Sequence, residues 1–278
     1  MFPESFWLEY PPPEIYSTIK RFKLYHQLFL LYEIMMKIIP VIDILNGVAV
    51  HGVRGERKKY KPLKSILFKS TNPFQISSVF ETLGFDSLYM ADLDAILKKT
   101  PNLDIYHDIC NKTSLNLMID AGISDLSRTS QLIELGVSKI VIGTETLSNL
   151  DFIKKAIEIF GEKKFVISLD QKGGKILTNS QSLSKLDIFL AAKNFENLGV
   201  KQIIVLDLDR VGTEYGINIG SLNKLLETVE IDILVGGGIR NLQELIDLEN
   251  LGIYGVLIAT ILHNGKLTID ELRSAGFL

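Results

Sequence analysis

One phrase, used four times, limits what this chain can fold into. Glu81–Met90 reads ETLGFDSLYM, Ile133–Ile142 reads IELGVSKIVI, Glu196–Val205 reads ENLGVKQIIV and Glu249–Ile258 reads ENLGIYGVLI. Each passes from a polar helix end, through Leu-Gly, into a short apolar run. A glycine just past the last helical residue is the usual stop signal, and a short apolar run bounded by turn residues is a strand buried on both faces. Four more such runs interleave with these. Eight strand-like runs then end near Asp43, Asp92, Asp120, Gly143, Asp170, Asp207, Gly236 and Ala259. Helical stretches fill the intervals. Asn72 with Pro73, Thr100 with Pro101, Ser124, Ser148, Asn241 and Thr268 are expected N-caps. Strict strand–helix alternation predicts an α/β fold, a closed (β/α)₈ TIM barrel over residues 36–278. A doubly wound open sheet is the alternative. It requires a Gly-rich loop after the first strand, and Asn46-Gly47 is not one.

A coarser repeat divides the barrel into halves. Asp92-Leu93-Asp94 matches Asp207-Leu208-Asp209, and Asp120-Ala121-Gly122-Ile123 matches Gly236-Gly237-Gly238-Ile239. Asp43 in KIIPVIDILNG matches Asp170 in KFVISLDQKGG. Strands one and five face each other across such a barrel, and catalytic groups in this fold sit at the C-terminal strand ends. Two carboxylates there can divide general-acid and general-base work, so Asp43 and Asp170 are the candidate pair. An aspartate at a strand end can also serve only as a helix cap or loop anchor. Gly236, Gly237 and Gly238, with a helix starting at Asn241, form a candidate anion cradle; Gly143-Thr144 is a weaker one. The loop from His51 to Lys64 carries Arg54, Arg57, Lys58, Lys59, Lys61 and Lys64. It is a candidate lid over an anionic substrate, or simply a solvated face.

Composition removes other classes. A net charge of −3 offers no basic surface for nucleic acid. Cys110 is the only cysteine, which excludes an internal disulfide framework and suits the cytoplasm. His26, His51, His107 and His263 lack metal-ligand spacing, so a structural zinc site is not expected; no cofactor is expected. Residues 1–35 break from the rest in composition, with Phe2, Phe6, Trp7 and Pro11–Pro13 near the start. They are expected to be a disordered tail or to precede the true start at Met35 or Met36. Their apolar run is far short of the roughly 20 residues that span a bilayer, so no membrane is expected as a partner.

The opening KIIPVIDILNG, the half-barrel repeat, LVGGGIR and the GVLIATILHNGKLT tail resemble the HisA/HisF family of histidine biosynthesis, from Met36 to the C-terminus. The resemblance leans toward HisA, an Amadori-type isomerase of a phosphoribosylformimino-aminoimidazole-carboxamide ribotide. It implies a half-duplicated barrel, no metal, catalytic roles for Asp43 and Asp170, and a substrate with a phosphate at each end. It also implies phosphate contacts at Ala259 and Thr260 and a substrate loop that includes Thr213. The chain departs from the family pattern at Leu206, where a threonine is usual, and at Val211, where an aspartate is. Asp120 and Ala259 replace glycines, and His51 replaces an arginine. The closer likeness is to divergent archaeal HisA/HisF-related paralogues. The expected function is a HisA-like isomerase or related acid–base enzyme acting on a phosphorylated small molecule; a lyase or synthase of another pathway, or a barrel that only binds a phosphometabolite, are the alternatives. A carboxylate at Asp120 would repel phosphate, which predicts a monophosphate substrate whose far end is uncharged or cationic.

Overall fold

The Leu-Gly phrase acts as its residues dictate. Gly84, Gly136, Gly199 and Gly252 have φ of 106°, 93°, 92° and 87°, a left-handed conformation in which any side chain is strained. A computed structural model describes residues 35–278, and Met36–Leu278 form one unit. The expectation for the N-terminal extension lies outside the described residues.

Eight parallel strands follow one another around a ring: β1 Lys37–Leu45, β2 Ser87–Asp92, β3 Asn116–Asp120, β4 Lys139–Gly143, β5 Phe165–Lys172, β6 Gln202–Asp207, β7 Asp232–Gly236 and β8 Gly255–Ile258. The ring closes where β8 pairs with β1, in register from Lys37 with Gly255 to Pro40 with Ile258. The fold is a (β/α)₈ barrel. The main helices between strands are α1 Pro73–Leu83, α2 Leu103–Lys112, α3 Leu126–Glu134, α4 Asp151–Phe160, α5 Ile188–Asn197, α6 Ile219–Thr228 and α7 Leu242–Asn250; α8, Ile269–Ser274, follows β8. No helix among the described residues is long and apolar enough to cross a membrane.

Alternation along each strand makes two cores. Residues such as Ile42, Leu88, Ile140 and Ile167 join a large outer cluster with the helices. Ile39, Tyr89, Met118, Val141, Val166, Ile204, Leu234 and Leu257 form a separate cluster inside the ring. At the N-terminal end, Lys139 Nζ donates to Gln202 Oε1 at 2.7 Å, and Gln202 Nε2 donates to Asp232 at 3.4 Å. Below its apolar core the barrel therefore ends in a paired polar layer.

Three of the expected caps form. Asn72, Asn241 and Thr268 accept from the backbone of α1, α7 and α8, the last in a full capping box. Three do not. Asp125 caps α3 in place of Ser124, and α4 begins at Asp151, beyond Ser148. α2 begins at Leu103, beyond Thr100-Pro101, and its N-cap residue Asn102 makes no capping bond because its side chain is committed elsewhere. Its backbone N–H and its amide both donate to Asp92 at the end of β2, from 2.9 to 3.0 Å. Asp92 is fully buried, caps the short helix Leu93–Lys98, and also accepts from Tyr106 Oη.

The halves share a second device. β1 continues past Asp43 and turns back through Asn46–Gly47, both at positive φ, into Val48–His51. β5 does the same past Asp170 through Gly173–Gly174 into Lys175–Ile176. Two-residue turns of this hand match the twist of a hairpin. The second aspartate of each Asp-Leu-Asp motif holds the turn. Asp94 accepts the Asn46 and Gly47 N–H groups at 3.0 Å, and Asp209 accepts that of Gly173 at 2.6 Å. Burial pushes the Asp94 carboxyl up, but donors from Lys98, Asn46, Gly47 and Asn102 outweigh it and hold the group down at about 2. Tyr106→Phe removes one donor from buried Asp92 and leaves the Asn102 bonds. Denaturant unfolding should show a loss of about 1–3 kcal/mol; an unchanged midpoint and slope would show that this hydrogen bond adds nothing net.

Candidate active site

The C-terminal mouth of the barrel opens into a cavity of about 270 Å³. Three strand-end carboxyls line it: Asp43 from β1, Asp120 from β3 and Asp170 from β5. Pairing fixes their height, because Asp43 aligns with Ala91 on β2 and Ala91 with Asp120 on β3. Glycines make room for two of them. A Cβ on Gly52 would lie 2.4 Å from Asp43 Oδ2, and one on Gly143 would lie 3.1 Å from Asp120 Oδ2.

The three carboxyls differ in their partners. Asp170 accepts from Ser168 Oγ at 2.6 Å, and Asp120 Oδ1 accepts the Gly122 N–H at 3.0 Å. Asp43 accepts no hydrogen bond through its side chain among the described residues. Burial pushes all three upward. Asp43 rises to about 7 despite the pull of Arg57. Asp120 also rises to about 7: burial dominates, the Gly122 donor opposes it, and the nearby Asp170 and Glu145 add to the rise. Asp170 reaches about 6, since the Ser168 hydroxyl offsets part of the same desolvation. Beneath them, burial and the fields of Asp120, Asp170 and Asp43 hold the Tyr89 phenol far above its ordinary 10. It stays an O–H.

The basic loop after β1 reaches across this mouth. Arg57 donates to Glu145, after β4, through two nitrogens at 3.0 and 2.5 Å. Arg54 takes a different course from the one expected. It lies outside the cavity, against the Tyr215 ring, and donates to the Tyr215 hydroxyl at 3.2 Å. Its backbone N–H donates to Val211 O, which fastens the loop to the one after β6.

The two expected anion cradles are unlike. Gly237 and Gly238 line the cavity at φ 97° and 89°, and their N–H groups have no backbone partner among the described residues. Ala259 and Thr260 line the wall beside them, with Thr260 Oγ1 3.0 Å from His51 Nε2. Thr213 also faces the cavity, though its hydroxyl donates to Arg210 O. Gly236 lies within β7, where Leu206 and Leu257 crowd the space a side chain would need. Gly143-Thr144 is not available as a cradle. The Thr144 N–H donates to Ser168 O at 3.0 Å, its hydroxyl donates to Leu177 O at 2.9 Å, and the residue is fully buried. Gly143 instead gives space to Asp120.

Sequence reasoning missed Glu145, Tyr60 and Tyr89 as lining residues. Tyr89 had a usable signal, being a polar-tipped residue at an inward position three before the strand end. Glu145 had none, because only the fold brings it opposite Arg57. Leu206 and Val211 line the wall with Leu177 and Leu208, so the side toward β6 is apolar. Among the described residues, no three His, Cys, Asp or Glu side chains converge to hold a metal ion.

Known proteins resemble this chain along the whole barrel. A family model described as histidine biosynthesis protein matches residues 37–268. An uncharacterized protein of Methanocaldococcus jannaschii is 35% identical over 240 residues, covering 85% of this chain and 97% of its own. Phosphoribosyl-type imidazole-4-carboxamide isomerases from Clostridium botulinum and Bacillus cytotoxicus are 34% and 32% identical. They cover 85% of this chain and 98% and 97% of their own lengths. The chain belongs to the histidine biosynthesis protein family, the HisA/HisF group of half-duplicated barrels.

Proposed function

We propose that this protein is a HisA-like isomerase, an acid–base enzyme that acts on a phosphorylated, phosphoribosyl-type small molecule with Asp43 and Asp170 as its proton-transferring pair. The observation that carries the reading is the pair itself. Two carboxyls from opposite strands open on one cavity, and their different partners give them different proton affinities. Asp170, stabilised by Ser168, gives up its proton first and is the base. Asp43, with no donor, keeps its proton longer and is the acid. In an aldose–ketose rearrangement the acid protonates the ring oxygen as the sugar opens. The base takes the proton from the adjacent carbon C2 to give an enolamine, and a proton returned to C1 as the C2 hydroxyl loses its own completes the ketose. The open amides of Gly237 and Gly238, beside Thr260, receive the phosphate. Arg57 and Glu145 close the mouth above the substrate.

The histidine-pathway ribotide is not the best substrate for this site. Its second phosphate would meet Asp120 in place of a cradle, and Leu206 and Val211 present hydrocarbon where the family pattern presents polar groups. This favours a different phosphorylated substrate on the same chemistry. A binding-only barrel would retain the phosphate contacts but show no turnover that depends on the aspartates.

Asp43→Asn and Asp170→Asn should each lower turnover by roughly 10²–10⁴-fold while circular dichroism stays unchanged. A variant near the wild-type rate would remove that residue from the mechanism. On the histidine-pathway ribotide, turnover should fall below the roughly 1–10³ s⁻¹ of a dedicated enzyme, and the gene should fail to rescue an isomerase-deficient histidine auxotroph. Full rescue would refute the altered specificity.

The same carboxyls set a pH dependence of stability. Asp43 and Asp120 hold protons up to about 7, whereas their ordinary value is 3.8. Between these values the folded chain binds more protons than the unfolded chain, so their contribution to stability falls as pH rises and levels off above about 7. Asp120→Asn should therefore raise the melting temperature by about a few degrees at pH 8 and leave it unchanged near pH 4. Equal shifts at both pH values would mean that desolvation of the carboxylate is not the cause.

A further inference from the structure

The part of the cavity around β3 is acidic without a matching base. Asp120 is 7% exposed, and its Oδ2 faces the space beside Gly143 with no protein donor among the described residues. Tyr89 is 6% exposed and lines the cavity, and its hydroxyl also lacks a protein partner among the described residues. No buried side-chain oxygen or nitrogen in the described residues is left unsatisfied, so both free groups are open to the cavity. Arg57 is the cation whose field reaches Asp120, and it is committed, while Lys172 stands on the β5 side. Arg57 is bound through both its terminal nitrogens to Glu145, and Lys172 reaches the Arg54 carbonyl at 3.5 Å. Burial pushes His51 and His263 down, so both are neutral at physiological pH.

A cation would complete this site. Asp43, Asp120, Asp170 and Tyr89 surround the space, but their oxygens do not converge as metal coordination requires. An organic ammonium is a better match. Its N–H bonds diverge and can meet carboxylate and phenol oxygens that lie apart. The barrel's repeat sharpens the contrast, because the counterpart of Asp120 in the second half is Gly236, beside the open amides of Gly237 and Gly238. One half of the cavity offers N–H donors and the other offers acceptors.

We infer that Asp120, with Tyr89 beside it, binds a protonated amine at the end of the substrate opposite its phosphate. The inference rests on the reading of this cavity as the site for a phosphorylated small molecule, and it specifies the other end of that molecule. Asp120 is then the residue that decides specificity, with Tyr89 accepting one N–H of the ammonium.

Calorimetry on the full chain can test it with ω-aminoalkyl phosphates of increasing length, each beside the alkyl phosphate of equal length. At the length that spans the cavity the aminated ligand should bind about tenfold or more tightly than its alkyl counterpart, the gain expected of one charge-assisted contact. Asp120→Asn should abolish that advantage and leave alkyl phosphate affinity in place. Tyr89→Phe should reduce the advantage. A separate titration uses alkylammonium alone and follows the ¹³C resonance of the Asp120 carboxyl. If that resonance responds while no alkyl phosphate binds, the phosphate reading fails and the amine site stands. Equal affinity of aminated and plain phosphates at every length overturns the inference and spares the phosphate site. So does an amine advantage that survives Asp120→Asn. If neither the phosphates nor the alkylammonium gives a signal, both readings fall.

Discussion

Closure of the ring is the constraint on which the rest of this structure depends. Pairing of Lys37–Pro40 with Gly255–Ile258 leaves no free edge and forces every inward-pointing strand end toward one axis. Asp43, Asp120 and Asp170 are far apart in sequence, yet they line a single cavity of about 270 Å³ because of that closure. The apolar layer beneath them removes water from one side. Their raised proton affinity is a consequence of the architecture, and it supplies carboxyls that exchange protons near neutral pH.

The barrel keeps these groups where folding alone would not favour them. A desolvated carboxyl weakens the fold wherever the unfolded chain would ionise it. The surrounding structure compensates with devices placed just outside the cavity. Asp94 and Asp209 hold the turns after Asp43 and Asp170, and Asp92 is locked by Asn102 and Tyr106. The C-terminal strand ends and the loops after them thus carry two kinds of aspartate. Those outside the cavity are held by several donors and stabilise, whereas of the three that line it Asp120 and Asp170 each accept one donor and Asp43 accepts none among the described residues.

The two halves keep the same framework and differ in the site. Both have the strand-end aspartate, the hairpin and its anchor. They diverge at Asp120 against Gly236 and at Thr144 against Thr260. Thr144 is consumed by Ser168 and Leu177, while Thr260 remains on the cavity wall. Such a divergence fits a ligand with two chemically different ends better than one with two phosphates.

Much of this was legible in the sequence, because it depends on local physics. Apolar runs, Leu-Gly stops and the half-repeat specify eight strands in order, and a strand-end aspartate in a parallel barrel has only one end of the molecule to occupy. Asp43, Asp170, Gly237 and Gly238 were expected at that end on this ground, and all four line its cavity. The misplaced caps at Thr100, Ser124 and Ser148 show where local signals fail, since Asn102 serves Asp92 ten residues back and leaves its own helix uncapped. Tertiary structure alone decided the rest. Arg57 meets Glu145 across 88 residues. Gly143, read as part of an anion cradle, proves to be the space that Asp120 fills. Composition and spacing describe neighbours along the chain, but proton affinity and free hydrogen-bonding groups depend on neighbours in space. The sequence by itself determined the barrel and the end of it at which the strand-end aspartates gather. Closure of the ring and the burial it imposes decided which polar groups face the ligand unpaired.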